Sequence, residues 1–383
     1  MVIAVLEADI FDNVFVECFG GLEDNRYKNK QHIMLDIVAL SICSILAGMT
    51  DFIEFHEFGK LHVLWFKKYL SLPHGMPSHD TMERVIASLN PKAFNEAFLK
   101  WIGKLKDLFP EDVIPIDGKT LRRSHQKNKG LKALHIVNAF SCANGLTLGQ
   151  VAVEQKSNEI TAIPELLQML TIKGAIITID AMGTQKEIAK QIVVQEADYV
   201  LAVKDNQKEL AEAIVDVFTL SQNGKFNKKL KPEIYKHEIE GDHGRIEDRI
   251  AYALPAKSIA TQTDLTNWAN LESIIKVEYH NWITNKTECR YFISSIIHTE
   301  VKKIATAIRS HWAIENNLHW VLDVVFREDD SRVRNKASAQ NLSWMRKMAV
   351  YLLKQDASKG SMKTKMLRNC INPQNIISIL GQV

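Results

Sequence analysis

The sequence predicts an α/β protein: a mixed sheet with helices on its faces, a β-rich insertion late in the sheet region, and an all-helical segment ahead of both. Three observations carry this. Apolar residues at mixed three and four spacing fill the first 110 residues. Apolar β-branched runs then alternate with helical runs from residue 113 to about 218. Between residues 221 and 297 strand alternation and turn residues replace that rhythm, and from Val301 onward the pattern is helical again. The expected organisation is therefore a helical piece at 1–110, a first sheet piece at 111–220, an insertion at 221–298 and a helical end at 299–383.

The elements follow in order. Residues 31–69 read as helical. The apolar stretch at 33–49 is short for a membrane span and is broken by Asp36, so it reads as a buried helix. In LSLPHGMPSHDTMERV the Pro, Gly and Pro make a turn, and Ser78 or Asp80 caps the next helix. PKAFNEAFLKWIGKLKDLF continues as an amphipathic helix ending near Pro110. VIPID (113–117) is a short strand, and residues 133–154 give two strands around an Asn-Gly turn. Residues 159–170 are helical, GAIITIDAM (174–182) is a β-branched run, and helix, strand and helix follow up to Phe218. SQNGKFNKKLK is a basic loop.

Composition excludes some classes. Five scattered cysteines without a CxxC pair argue against a disulfide framework or a cysteine zinc site, and fit a reducing, cytoplasmic setting. The acidic N-terminus has no basic leader of the secretory kind. The net charge of +3 is uninformative, but its distribution is not. Residues 1–60 hold 4 Lys or Arg against 10 Asp or Glu, a balance of −6, so the remainder carries +9. A basic body suits a polyanion.

Two acids share one context. Asp117 and Asp180 each end an apolar β run, IPID and ITID, and each precedes a small residue. Taken alone, each reads as a turn or cap residue. As a pair on adjacent strands they would meet at the sheet edge, where such folds place chemistry. A third acid is offered by HWAIENNLHWVLDVVFREDDSR, in which His311, Glu315 and His319 repeat at four-residue spacing on one helix face. Zinc on that face is an alternative, but HExxH is absent and no cysteine lies nearby. Oxygen donors favour magnesium or manganese. Three such carboxylates can hold two divalent ions for attack on a phosphodiester. Six Lys or Arg residues lie from Lys119 to Lys132 with no acid among them. Lys119, Arg122 and Arg123 are then candidate backbone contacts, although a solvated loop is the commoner fate of such a run.

These residues carry a resemblance. The chain resembles the DDE transposases of bacterial insertion sequences, in the branch that includes the H-repeat-associated proteins of Rhs elements. The likeness runs over nearly the whole chain, through DNRYKNKQHIMLDIVALSICSILAGMTDFIEF, IPIDGKTLRRS, TIDAMGTQKEIA, DYVLAVKDNQ, DHGRIEDR and HWAIENNLHW. The resemblance implies a ribonuclease-H-like core with the insertion before the last catalytic helix. It also implies Asp117, Asp180 and Glu315 as catalytic and metal-binding triad, with Mg2+ or Mn2+ as cofactor. The implied partners are DNA, as the terminal inverted repeats and target, and further copies of the chain in a homo-oligomer on DNA.

A Tyr-x2-Arg-x3-Glu-x6-Lys signature around the catalytic Glu, common among related transposases, is replaced here by Ile308, His311, Glu315 and Leu322. His311, Asn316 and His319 are then candidates for phosphate or metal work. Lys204 and Asn206, after a strand, and His243 and Arg245, in GDHGRIE, complete the set of candidate DNA contacts. Their plainer readings are a helix cap for Asn206 and a hairpin turn for the latter pair. Two other functions fit the same residues: a DNA-binding relic without catalysis, and a nuclease of the same fold that cuts without joining.

Overall fold

The computed structural model describes residues 15–26, 30–105, 111–125, 132–153, 159–222, 231–237, 240–242 and 245–381. His243, Lys127, Lys129, most of the basic loop after Gln222 and the end of the helix expected to reach Pro110 lie outside them.

The apolar stretch at 33–49 forms α1 (Met34–Leu46), a buried helix in which the Asp36 carboxylate accepts the Leu72 N–H at 2.9 Å. Among the described residues no helix is long and apolar enough to cross a membrane. The expected helix over 31–69 is cut after α1, where Gly48 takes φ 88°, a conformation that favours glycine. Asp51 then starts α2 (Phe52–Leu61) by accepting the Glu54 N–H at 2.9 Å. Ser78, not Asp80, caps α3 (His79–Ser88), and α4 (Pro91–Leu105) opens on a proline, which has no N–H to leave unpaired.

The sheet begins with β1 (Val113–Thr120), followed by the hairpin β2 (His135–Ser141) and β3 (Leu146–Val153) around the Asn144-Gly145 turn. After α5 (Glu159–Gln168) come β4 (Ile176–Ile179), α6 (Lys186–Val194), β5 (Asp198–Val203) and α7 (Lys208–Gln222). Every residue of β4 is buried, as expected for a strand covered on both faces. β1 runs antiparallel to β2 and parallel to β4, and β4 runs parallel to β5. The order β3-β2-β1-β4-β5 with these directions is ribonuclease-H-like.

The β-rich insertion supplies β6 (Glu233–Lys236), β7 (Glu240–Asp242), β8 (Arg245–Pro255), β9 (Ser273–Asn281) and β10 (Lys286–Ser294). These strands extend the same sheet: β10 pairs antiparallel with β5, and β9, β8 and β6 follow outward. α8 (Val301–Ser310) packs Ile304, Ala307 and Ile308 on the face carrying Ile176, Val200, Ala251 and Ile275.

α9 (Lys336–Gln355) lies between the first helices and the β2–β3 end of the sheet, against Ile136, Asn138 and Gln150. Its Trp344 ring sits 4.1 Å from Phe98 of α4, centroid to centroid. Asn341 donates to the carbonyls of Ile86 and Leu89 at 3.0 and 3.1 Å, satisfying groups that the end of α3 leaves unpaired. α10 (Met362–Ile371) and α11 (Gln374–Leu380) return to the N-terminal helices through Asn369 to the Leu46 carbonyl and Trp65 to Gln374.

Candidate active site

The parallel pairing of β1 with β4 puts Ile116 opposite Ile179, so Asp117 and Asp180 each follow matched positions on neighbouring strands. Gly118 is required beside Asp117, because a Cβ there would collide with His135 and Glu159. Asp180 begins a 3-10 turn (Ala181–Gly183), where one carboxylate oxygen accepts the Met182 N–H at 3.1 Å and the Gly183 N–H at 3.5 Å. Asn206 braces that turn by donating to the carbonyls of Ala181 and Thr184. It does not cap α7. Asp117, Asp180, His311 and Glu315 line one cavity of about 560 Å³, and Lys204 stands exposed on its wall.

Glu315 reaches this cavity through a break in the helix after α8. The chain turns at His311, forms an α-turn at Trp312–Ile314, a π-helical segment at Glu315–His319 and an α-turn at Trp320–Val324. Such π segments recur at functional sites. Sequence spacing alone predicted one regular face for His311, Glu315 and His319. His311 lines the cavity with Glu315, but its Nδ1 lies 2.9 Å from the Thr178 hydroxyl on β4. The ligand atoms that meet are those of Asp117, Glu315 and His319, all within 4.8 Å of one another. The three-residue zinc face is therefore not assembled.

Burial pushes Asp117 above the ordinary carboxylate range, His319, the Gly118 N–H and His311 pull it down, and Asp180 adds to the rise. The His319 hydrogen bond holds Glu315 below its ordinary value against partial burial. Burial lowers His311, although Asp117 and Asp180 favour its charged form. His319 is 4% exposed. Its Nδ1 lies 3.2 Å from Glu315 Oε2 and 3.5 Å from Asp117 Oδ2. It is buried against both acids. Two carboxylates with oxygens within 4.8 Å of each other, and Asp180 outside that group but on the same cavity wall, give a mostly oxygen donor set that fits a hard divalent cation.

Among the described members of the basic run, Lys119, Arg122 and Arg123 pair with acids. Lys119 is 8% exposed, with its ammonium 2.6 Å from both Asp323 and Glu328. It is a buried ion-pair member and not a phosphate contact. Arg122 and Arg123 reach Asp329 at 3.1 Å and Asp330 at 3.5 Å while staying largely exposed. The acidic turn at 328–330 thus lies across from the run. Burial alone would raise the Glu328 carboxyl, but Lys119, Arg346 and Lys347 pull it down to about 2.

A second feature was not read from the sequence. A groove of about 1040 Å³ shares Tyr279, Arg290 and Trp312 with the acid cavity. Arg290 stacks 5.0 Å from the Tyr279 ring and 5.3 Å from Trp312, and Arg249 covers Tyr279 at 5.6 Å. Lys286, Arg309, Asn316 and the exposed Trp320 continue the lining. Asn316 is exposed there as a surface group. Arg245 opens β8, paired in register with Asp242. The signal available in sequence was alternation: Arg249, Tyr279 and Arg290 occupy strands whose period-two pattern puts one face in solvent.

A ribonuclease-H-like sheet with acids on one cavity defines the class of fold, and comparison places the chain in a family. Residues 108–353 match the family described as "Transposase DDE domain", and residues 16–102 match the region described as "DDE_Tnp_1-associated". The chain belongs to the DDE-domain transposase family. Among its relatives is "H repeat-associated putative transposase YhhI" of Escherichia coli (strain K12), 39% identical over 362 residues, covering 92% of this chain and 93% of that protein. "Putative transposase YncI" of Escherichia coli O157:H7 is 38% identical over 367 residues, covering 94% and 92%.

Proposed function

We propose that the protein is a metal-dependent DNA transposase that cleaves the ends of its own insertion sequence and joins them to target DNA. The observation supporting this most is the gathering of Asp117, Asp180 and Glu315 on one cavity, from two parallel strands and a π-helical segment, in a chain of this family. Mg2+ or Mn2+ held by these carboxylates would supply Lewis-acid stabilisation of the attacking oxygen and of the phosphate.

The chain's own groups have separate tasks. β1 and β4 fix the two aspartates, and Asn206 holds the turn that carries Asp180. His319 holds Asp117 and Glu315 beside each other. His311 lines the cavity with Nδ1 on the Thr178 hydroxyl, and burial disfavours its charged form while Asp117 and Asp180 favour it. Arg290, Arg309 and Lys286, with Trp312 and Trp320 between them, offer cations and ring faces along which a DNA strand would run into the cavity. In this reading water attacks phosphorus, the P–O3′ bond breaks, and the 3′ hydroxyl so freed attacks a target phosphodiester. A homo-oligomer on paired element ends belongs to the same reading.

The test is purified protein with a labelled duplex of the terminal inverted repeat and magnesium or manganese. Nicking at the element end followed by joining is the expected result. Nicking without joining would leave a nuclease, and retention of DNA without cleavage would leave a binding relic.

A further inference from the structure

A buried chain of hydrogen bonds runs to the acids from α9, along the face of the sheet that carries Asp117. Lys347 of α9 is 2% exposed, and its Nζ lies 2.6 Å from Asn138 Oδ1 on β2, with Gln150 Oε1 of β3 as a second partner. Asn138 is 1% exposed and stands opposite Asp117 in the β1–β2 register. Its Nδ2 lies 3.2 Å from the Ile136 carbonyl and 3.5 Å from Nε2 of His319.

Each link has one consistent polarity. The Ile136 carbonyl can only accept, so Asn138 turns its NH2 toward it and its oxygen toward the Lys347 Nζ. Its NH2 then faces Ile136 and His319, and an NH2 group only donates. Nε2 of His319 must therefore be the lone-pair nitrogen, which puts the ring proton on Nδ1. Nδ1 is the atom that faces the Glu315 and Asp117 carboxylates. Both ends of the chain select the same tautomer.

We infer that Lys347 and Asn138 are positioning residues that fix the tautomer of His319, making it a hydrogen-bond donor that clamps Asp117 and Glu315 together and not a third metal ligand. A nitrogen that carries a proton has no lone pair for a cation. The clamp offsets the repulsion between two adjacent carboxylates before any cation arrives, as partners behind metal-binding groups generally do. Asn138 and Lys347 are thus held to a narrow geometry although neither touches the cavity.

The inference about the tautomer stands apart from the transposase reading, and only its effect on cleavage rests on that reading. The direct test is long-range 1H–15N correlation on histidine-labelled, metal-free protein, with His319 assigned by its loss in His319→Gln. Wild type is expected to show a protonated, pyrrole-like Nδ1 and a pyridine-like Nε2. In Asn138→Asp, a carboxylate facing Nε2 should draw a proton onto it and change that pattern. A pyridine-like Nδ1 in wild type, or an unaltered pattern in a folded Asn138→Asp protein, would overturn the inference. Wild type alone is decisive if the variant fails to fold. In the cleavage assay Asn138→Asp should lose about 10-fold to 100-fold in rate with little change in DNA affinity. A rate equal to wild type alongside a changed tautomer would remove the clamp from the reaction while leaving the proton assignment intact.

Discussion

Single side chains decide the chemistry of this site, and two of them give sharp expectations. Asp117→Asn keeps the shape at 117 and removes the charge, so DNA affinity should persist while metal-dependent cleavage falls by about 10²–10³-fold or more, the range seen when one group stabilising transition-state charge is lost. Comparing filter retention with nicking checks this, and unchanged cleavage would remove Asp117 from the mechanism. Glu328 makes a stability prediction. Its carboxyl is held at about 2 against an ordinary 4.5, so the folded form releases the proton more readily than the unfolded chain. The resulting stabilisation is present above about pH 4.5 and lost as pH falls toward 2, and is worth about 3 kcal/mol. Glu328→Gln should flatten that acid limb in urea unfolding. It should also cost about 3–5 kcal/mol at neutral pH, because Arg346 would stay buried without its carboxylate and Lys119 would keep only Asp323. An acid limb identical to wild type would contradict this. The three acids were legible because each ends an apolar run or shares a helix face with histidines. Asn138 and Lys347 were not, since their meeting depends on strand register and on how α9 docks, which no local pattern encodes.

At the scale of elements, the π-helical segment does the most work for its length. A regular helix through Glu315 and His319 is what four-residue spacing suggests, and the departure from it is what local propensity cannot announce. Deleting Asn317 should restore an α-helical path and move His319 from the fourth to the third position after Glu315. Circular dichroism should stay close to wild type while cleavage disappears and DNA binding remains. Full activity in the deletion would mean that the widened turn is incidental. The strands were easier to read. The Asn144-Gly145 hairpin and the β-branched runs at 113–117 and 176–179 lie where sequence placed them. Strand alternation exposed the insertion as β-rich, but its continuity with the main sheet through β10 and β5 is a long-range pairing.

Across the whole molecule, charge and topology act together. The basic run after Asp117 looked like the natural backbone clamp, yet the acidic turn at 328–330, distant in sequence, is packed across from it. The groove on β8, β9 and β10 takes over that role in the proposed reading, so affinity for duplex DNA should fall linearly in a log–log plot against salt. Arg290→Ala and Arg309→Ala should each reduce the slope by about one, and an unaltered slope would move the DNA elsewhere. α9 ties the helical layer to the sheet and carries Lys347, so the N-terminal helices and the site share one buried scaffold. The central claim is that three acids distant in sequence gather divalent cations. Anomalous diffraction from crystals of the DNA complex grown with Mn2+ tests it most directly. Manganese peaks bounded by Asp117, Asp180 and Glu315, and absent in Asp117→Asn crystals, are the result expected; peaks coordinated elsewhere on the chain, with these three carboxylates unligated, would contradict it.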